Sequence, residues 1–325
     1  MTDLLAVANL SKHFAVPRRV VDVLRGRGAC SLRAVESVSF GVARGETLGI
    51  VGESGCGKST LARCLVRLHE PSAGTIHFDG TDVLGLSGLR RRAYNRQVQM
   101  VFQDPFGSLN PRMTVGACLA EALSVHRIVP KAAIARRVAE LLELVHLPID
   151  AAARRPHEFS GGQRQRIGIA RALAVEPSML IADEPVSALD VSVQAQLVNL
   201  LLELQRQLGL TLVFITHDLR LVRHMAHRVA VMYLGRIVEI GPAAALFAAP
   251  RHPYTRALIQ AAPRLVPGRP AREDAVRGEL PSPLAPPSGC AFHTRCRVAE
   301  PRCATEAPSL SMRGGEWPVA CVLAG

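Results

Sequence analysis

A glycine-rich stretch near the N-terminus carries residues suited to binding phosphate. It reads Gly52-Glu53-Ser54-Gly55-Cys56-Gly57-Lys58-Ser59, is followed by Thr60, and fits the phosphate-binding loop pattern. Its glycines let backbone N–H groups turn towards phosphate oxygens, and the start of the following helix adds positive potential. We expect Lys58 to reach the terminal phosphates of a nucleotide and the Ser59 hydroxyl to bind Mg²⁺.

Two adjacent carboxylates form the second candidate group. Asp183 and Glu184 follow the apolar run Met179–Ala182, which predicts a buried strand. Asp183 at the end of this strand suits the coordination shell of Mg²⁺, and Glu184 suits the attacking water, as a general base or an orienting group. An acidic pair at a strand end is also consistent with a simple cap, but the upstream loop favours the functional interpretation.

A second helix start adds a further candidate anion site. Ser160-Gly161-Gly162-Gln163 opens a predicted helix 23 residues before Asp183. Two phosphate-binding helix ends in one domain are hard to use on a single nucleotide. A head-to-tail pair of domains resolves this, because each then supplies its second helix end to the nucleotide of the other.

The elements that must position these residues alternate between strands and helices. Strands are predicted at Leu4–Phe14, Val35–Val42, Thr47–Val51, Met179–Ala182, Leu212–Ile215, Val229–Leu234 and Arg236–Ile240. Helices are predicted at Thr60–Leu68, Gln163–Val175 and Val193–Leu208, with a mostly helical stretch from 109 to 156. The alternation predicts a largely parallel α/β sheet that the helical stretch interrupts. After Gly241-Pro242 the chain becomes rich in proline, which predicts a loop-rich extension.

The composition narrows the classes of protein that remain. The net charge of +12 fits nucleic-acid binding, an anionic membrane face or a solvated basic surface, and charge alone does not separate these. Three Tyr and one Trp offer little for stacking on bases. No apolar run reaches the roughly 18–20 residues that cross a bilayer, and the first residues do not form a secretory signal. We therefore expect the protein to stay in the cytosol.

With these motifs in order, the sequence resembles the nucleotide-binding subunits of ABC transporters. The resemblance implies that ATP and Mg²⁺ are bound and that Glu184 and His217 are catalytic. It further implies that Gln103 lies in the Q-loop near Mg²⁺, that Asp190 lies in the D-loop, and that Phe14 stacks on adenine. In this family Ser160–Gln163 is the signature that acts on the ATP of the partner subunit.

Three further stretches narrow the resemblance to the ATPases of oligopeptide and dipeptide importers. They are Phe102–Arg112, Val186–Gln196 and His252–Thr255, and the ending Gly289–Cys296 joins them. This family implies an α/β P-loop NTPase fold with a RecA-like core, an inserted helical subdomain at about 105–160, an antiparallel β edge and a small C-terminal extension. The expected domains are the ATPase cassette at 1–245 and the extension at 246–325.

The same resemblance implies partners and a location. We expect a second, unequal ATPase subunit, two transmembrane permease subunits and an extracytoplasmic solute-binding protein, at the cytoplasmic face of the membrane and without nucleic acid. The insertion at 16–34 is similar to that of the second ATPase in such importers. DNA-repair ATPases are a rival class, but they insert long coiled coils, and only 125 positions separate Lys58 from Asp183. Ribosome-associated relatives carry two cassettes, whereas this sequence has no internal repeat, and a non-hydrolysing cassette would not need Glu184 and His217.

Eight cysteines are present, and four of them are grouped near the C-terminus: Cys290, Cys296, Cys303 and Cys321. The gaps between them hold 5, 6 and 17 residues, without the short paired spacing typical of zinc sites. Four thiolates also suit a [4Fe–4S] cluster, which the family resemblance implies; zinc and unconnected reduced thiols remain the alternatives. Separately, Cys56 lies at a helix start beside Lys58, a setting that predicts a lowered thiol pKa.

Overall fold

The structure is a computed structural model that describes residues 3–16, 31–104, 107, 109–261 and 278–324. Residues 17–30 of the predicted insertion at 16–34 and residues 262–277 of the proline-rich extension lie outside the described residues. The predicted end of the insertion was wrong, because residues 31–34 belong to a strand that begins at Ser31. The chain divides into two compact units. The first unit comprises Met1–Val42, Leu48–Leu84 and His217–Gly325, and the second comprises Ala43–Thr47 and Gly85–Thr216.

The bounds of the regular elements are as follows. The strands are β1 (Asp3–Ala15), β2 (Ser31–Ala43), β3 (Thr47–Val51), β4 (Ala73–Phe78), β5 (Thr81–Asp82), β6 (Val98–Val101), β7 (Met179–Asp183), β8 (Thr211–Thr216), β9 (Arg228–Tyr233) and β10 (Arg236–Pro242). The helices are α1 (Lys58–Leu65), α2 (Gly88–Gln97), α3 (Val115–Val125), α4 (Ile134–Leu144), α5 (Gly161–Leu173), α6 (Val191–Leu208), α7 (Leu219–Met225), α8 (Ala243–Ala248) and α9 (Pro253–Ala261).

An antiparallel sheet in the first unit has the strand order β2-β1-β4-β5. Leu5 and Val7 of β1 are buried, and they lie opposite Phe78 and Ile76 of β4. The two predicted strands, β1 and β2, are confirmed. The sequence pattern did not predict β4, which begins only two residues after Pro71.

The first unit also contains the predicted hairpin. β9 and β10 pair antiparallel around Gly235, whose φ of 78° suits the tight turn. β3 pairs parallel with β9, so that Val51 lies opposite Val231. All five residues of β3 are buried, which explains the short apolar run in the sequence.

The second unit contains a parallel sheet whose central strand is β7, between β8 and β6. β7 and β8 are buried throughout, as expected for strands covered on both faces. The predicted helical stretch resolves into α3 and α4, followed by short 3₁₀ turns at 149–153 and 156–158. The long helix α6 ends at Gly209, which is left-handed with a φ of 63°.

The C-terminal segment packs on β10 of the first unit through backbone hydrogen bonds and through one buried carboxylate. Glu239 is fully buried, and its Oε1 accepts hydrogen bonds from the Arg251 backbone and from Nε1 of Trp317, both at 2.9 Å. Its Oε2 accepts from the backbone N–H of His252 at 3.0 Å. Three donors thus compensate the cost of burying this group. Among the described residues, no helix combines the length and apolar character needed to cross a bilayer.

Candidate functional site

The glycine-rich loop after β3 turns tightly between two neighbouring backbone segments of the first unit. Gly55 and Gly57 have φ values of 81° and 105°, which favour glycine. A Cβ on Gly57 would lie 2.0 Å from the Ala34 carbonyl oxygen, and one on Gly52 would lie 2.2 Å from that of Met232. The spacing of the glycines in the sequence therefore has a steric cause in the fold.

Lys58 begins α1 and folds back over the loop. Its side chain is buried, with the residue 4% exposed. Nζ donates to the carbonyl oxygens of Gly52 at 2.9 Å and Glu53 at 3.0 Å. Ser59 and Thr60 follow in the first turn of α1 and are half-buried. A positive charge, a hydroxyl and a helix start thus occur in one turn of chain, which suits phosphate and Mg²⁺.

Cys56 does not have the lowered pKa that the sequence predicts. The residue is 1% exposed, and burial raises the pKa of its thiol above the ordinary value, although the charge of Lys58 acts in the opposite direction. The prediction was wrong because the helix start and the lysine do not outweigh the loss of water around the thiolate.

The carboxylates of the second unit lie at the end of β7. Asp183 is 3% exposed, whereas Glu184 is half-buried and has a φ of 45°, a left-handed conformation that such residues rarely adopt. Nε2 of Gln103 lies 3.4 Å from Oε2 of Glu184 and 3.4 Å from Oγ of Ser187. The structure therefore brings together the predicted Q-loop glutamine and the predicted general base, and it adds Ser187, for which the sequence suggested no contact.

The predicted signature lies at the start of α5, also in the second unit. Ser160 and Gln163 form a capping box: Ser160 Oγ accepts from the Gln163 backbone at 3.4 Å, and Gln163 Oε1 accepts from the Ser160 backbone at 3.0 Å. Gly161 is exposed, and Gly162 is buried against Val193 of α6. The capping box alone is enough to explain why Ser160 and Gln163 occur at this helix start. Because Ser160 and Gly161 are exposed, the helix start is also accessible to a ligand.

Asp190 and His217 are exposed residues at the start of helices in different units. Asp190 precedes α6 and makes no side-chain cap, although its carbonyl oxygen accepts from the Gln194 backbone at 2.8 Å. After His217, Asp218 caps α7 by accepting from the Arg220 backbone at 2.8 Å. The capping role falls on Asp218 in α7, so the side chain of His217 is not needed for it.

Phe14 lies near the end of β1 in the first unit and is half-buried. Its ring meets that of His69 edge-on, with centroids 5.4 Å apart, and Nζ of Lys12 lies 4.9 Å from the ring centroid. Its side chain therefore belongs to a small aromatic and cationic patch at the surface, an environment that suits stacking on a base.

The four C-terminal cysteines are all free thiols in the first unit. Cys303 and Cys321 are buried, and Cys290 and Cys296 are half-buried. Burial raises the pKa of Cys290 and Cys296, and the charges of neighbouring cysteines raise each of them further. Yet within the described ranges no three His, Cys, Asp or Glu residues form a group that could hold a metal ion. Cys290 and Cys296 thus lie close enough to other thiols to be affected by them, but the described residues do not form a ready ligand set.

Two residues that touch the phosphate loop were not predicted from the sequence. Tyr254 accepts a hydrogen bond from the backbone of Glu53, and Arg295 pairs with the Glu53 carboxylate. Both lie in stretches that carried the family resemblance, but their contacts are with a residue more than 200 positions away. A single sequence contains no signal for such a pairing.

Comparisons with known proteins agree with this arrangement of motifs. Residues 35–187 match the family described as ABC transporter, and residues 238–303 match the family described as oligopeptide/dipeptide transporter, C-terminal region. The chain is 52% identical over 322 residues to y4tS of Sinorhizobium fredii, named a probable peptide ABC transporter ATP-binding protein, covering 99% of this chain and 90% of that one. It is 47% identical to the di/tripeptide transport ATP-binding protein DppF of Pseudomonas aeruginosa, with coverages of 96% and 95%.

A solved structure supports the fold independently. The chain resembles the dimeric, post-hydrolysis state of the ATP-binding cassette MJ0796 bound to ADP and Pi, with a TM-score of 0.64 and 26% identity. The similarity covers 74% of this chain and 98% of that one, and it agrees with the P-loop ATPase fold expected from the motifs. With the loop, the strand-end carboxylates and full-length relatives in agreement, the chain belongs to the ATP-hydrolysing subunits of ABC transporters, in the family of peptide-transporter ATP-binding proteins.

Proposed function

We propose that this chain binds and hydrolyses ATP to drive uptake of dipeptides, oligopeptides or related solutes across the cytoplasmic membrane. The observation that carries the proposal is the phosphate loop with its buried Lys58, in a chain that aligns over 99% of its length with a peptide-transporter relative. In this proposal the permease and the solute-binding protein select the specific solute.

The residues of the first unit bind the nucleotide in this proposal. Lys58 exchanges its contacts with the loop carbonyls for the β- and γ-phosphates, and the loop N–H groups bind the same oxygens. Ser59 supplies a hydroxyl to Mg²⁺. Phe14 stacks on the adenine, and His217 contacts the γ-phosphate.

The residues of the second unit act on the water and the metal in this proposal. Asp183 and Gln103 complete the shell of Mg²⁺, which neutralises the charge that develops on the phosphates. Glu184 orients the attacking water and accepts its proton. Support comes from the contact of Gln103 with Glu184. A glutamine in this position can move when the contacts of Glu184 change, and it can transmit that movement to the helices that follow it.

The assembly that we propose has two ATPase subunits arranged head to tail. Ser160–Gln163 of this chain then contacts the ATP of its partner, and Asp190 contacts the partner across the same interface. We propose a heterodimer with a second, homologous ATPase, held at the cytoplasmic face by two permease subunits and supplied by an extracytoplasmic solute-binding protein. Support comes from the exposed, capped start of α5 and from the family of the chain.

Reconstitution tests the proposed function. The complex of this chain with its co-purified partners is placed in lipid vesicles, and uptake of the peptide mixture that co-purifies with it is followed with and without MgATP. Uptake that depends on ATP and disappears with Lys58→Ala supports the proposal. A complex that hydrolyses ATP but moves no peptide, while it moves a different solute, would contradict the assignment to peptides.

For the four C-terminal cysteines we propose a structural [4Fe–4S] cluster, with zinc as the alternative. Support comes from the Cys290 and Cys296 thiols, whose pKa is raised first by burial and then by the neighbouring cysteines, since only groups close in space interact in this way. Without a ready ligand set among the described residues, the thiols have to converge when the metal is bound. The cluster itself takes no part in hydrolysis.

Metal analysis distinguishes the alternatives at this site. Protein purified without oxygen is expected to be brown and to hold about four iron and four sulfide per chain. Cys303→Ser should lose both, whereas Cys118→Ser, which changes a buried cysteine of the second unit, should keep them. Colourless protein with one zinc per chain, or with no metal, would refute the iron–sulfur proposal and leave the ATPase function untouched.

A further inference from the structure

The phosphate loop is tied to the C-terminal cysteine segment by one ion pair. Nη1 and Nη2 of Arg295 donate to Oε2 and Oε1 of Glu53 at 2.8 and 3.0 Å, in a bidentate arrangement. The side chain of Arg295 is 7% exposed and that of Glu53 is 25% exposed, so water screens the pair only in part. Arg295 also donates to the carbonyl oxygen of Gly278 at 2.9 Å. Its guanidinium therefore binds both Glu53 of the phosphate loop and the backbone at Gly278.

The surroundings of this ion pair are aromatic and closely packed. The rings of Tyr233, Tyr254 and Phe292 contact one another, with centroid distances of 4.6, 5.2 and 5.3 Å. Nη1 of Arg295 lies 3.4 Å from the hydroxyl of Tyr233. Phe292 and Arg295 both fall between Cys290 and Cys296, so the short cysteine segment provides two of the groups that pack under the loop.

Every polar group of Glu53 is engaged by a different part of the first unit. Its backbone N–H donates to the hydroxyl of Tyr254 at 3.0 Å, its carboxylate binds Arg295, and its carbonyl oxygen accepts from Nζ of Lys58 at 3.0 Å. A displacement of Glu53 would therefore move the carbonyl that positions Lys58. The ion pair is thus linked to the phosphate-binding lysine through a single residue.

We propose that Arg295 is a positioning residue for the phosphate loop, and that the cysteine segment 290–296 controls nucleotide affinity through its contact with Glu53. The inference rests on the proposed role of this loop in binding ATP. Arg295 does not touch the nucleotide in this proposal. It acts by holding Glu53, and through Glu53 the loop backbone, in the arrangement that accepts phosphate.

Nucleotide binding to the full chain tests the inference, with MgADP as the probe because it is not hydrolysed. Arg295→Gln is expected to raise the Kd for MgADP at least about fivefold, the lower end of typical coupling between sites. Glu53→Gln, which removes the charge and keeps the shape, should raise Kd to a similar extent, and the double variant should be no weaker than either single one. Arg295→Lys should recover part of the affinity, because it keeps the charge and loses the second hydrogen bond.

A matched control lies six residues beyond the cysteine segment 290–296. Arg302 pairs with Glu300 at 2.9 Å, but both side chains are about half exposed, so Arg302→Gln makes the same chemical change away from the loop. Its Kd should stay within about twofold of the native value. In steady-state ATPase assays Arg295→Gln should raise KM more than it lowers kcat, which a general loss of folded protein would not do, since that lowers kcat alone.

The outcomes separate this inference from the function on which it rests. Native affinity in Arg295→Gln and Glu53→Gln, together with lost affinity in Lys58→Ala, would overturn the positioning role. Native affinity in Lys58→Ala would instead overturn the assignment of the loop as the nucleotide site, and the inference with it. Equal weakening by Arg295→Gln and Arg302→Gln would show a general effect of charge and would also overturn the positioning role.

Discussion

Glu184 is the residue on which hydrolysis should depend most directly. It follows a buried strand, has a left-handed backbone and lies 3.4 Å from the amide of Gln103. Such conformations concentrate where a side chain must be aimed at a reacting group. Its carboxylate can accept a proton from water, whereas an amide of the same shape cannot.

We therefore predict that Glu184→Gln lowers the rate of phosphate release at least about 10²-fold, the lower end for loss of a general base. ATP binding should persist, because the phosphate loop is unchanged. Glu143→Gln, an exposed position on α4 of the same unit, should hydrolyse ATP at the native rate. Native turnover in Glu184→Gln would show that another group activates the water.

The burial of Cys56 should determine how fast its thiol reacts. Because burial raises the pKa of its thiol, the reactive thiolate is scarce at neutral pH and becomes more abundant as the pH rises. We expect iodoacetamide to modify Cys56 more slowly than N-acetylcysteine at pH 7, with a rate that increases towards pH 9. Peptide mass spectrometry over time measures both rates.

Modification of Cys56 should nevertheless block nucleotide binding. Sγ lies 2.8 Å from the position of a Cβ on Gly52, so an adduct has no room without displacing the loop. ATP should therefore protect the thiol. Faster modification than the free thiol at pH 7 would show a lowered pKa, and full MgADP binding after complete modification would show that the loop tolerates the adduct.

At the scale of elements, buried strands and long amphipathic helices could be predicted, while polar or short elements could not. β3, β7 and β8 were recognisable because they are buried throughout and their central residues are apolar. Only Tyr94 is buried in α2, so that helix has no apolar period to detect. β6 spans only four residues and is equally hard to assign.

The close packing of α5 on α6 should make Gly162 difficult to replace. A Cβ on Gly162 would lie 2.4 Å from Cγ1 of Val193, so that Gly162→Ala forces the two helices or the valine to shift. Overpacking of this kind costs about 1–3 kcal/mol. We expect a lower midpoint of urea unfolding for Gly162→Ala.

The same helix provides the control. A Cβ on Gly168 would meet no neighbouring group within 4 Å, so Gly168→Ala should stabilise α5 by about 0.8–1 kcal/mol through helix propensity alone. If the midpoint of urea unfolding falls for Gly162→Ala and rises for Gly168→Ala, the loss of stability in Gly162→Ala comes from the contact with Val193. A stabilising effect of Gly162→Ala would mean that the glycine is there for the partner's nucleotide and has no packing role.

For the molecule as a whole, the order of motifs along the chain was sufficient to predict the family, because each motif has a fixed local spacing. The contact between Glu53 and Arg295 was not predictable, because it joins residues 242 positions apart and depends on how the C-terminal segment folds. The same holds for the three donors that converge on buried Glu239. Local chemistry is visible in a single sequence, whereas long-range polar pairing is not.

The motifs of this chain also lead us to predict the composition of the whole transporter complex. It carries a single phosphate loop and a single signature, and the signature acts on the partner's ATP in our proposal. Complexes purified with the permeases should contain one copy of this chain and one of a second ATPase by native mass spectrometry. A transport-competent complex with two copies of this chain and no other ATPase would refute the heterodimer.

Variants confined to this chain can show which nucleotide its signature serves. Glu184→Gln stops hydrolysis at the site of this chain, and Ser160→Arg removes the capped helix start that the partner's ATP would contact. If the signature acts on the partner's ATP, a chain with both changes should abolish all hydrolysis in a complex whose second ATPase is native. If it acts on its own ATP, the second site is untouched, and phosphate release should continue at roughly half the native rate, which would contradict the head-to-tail arrangement.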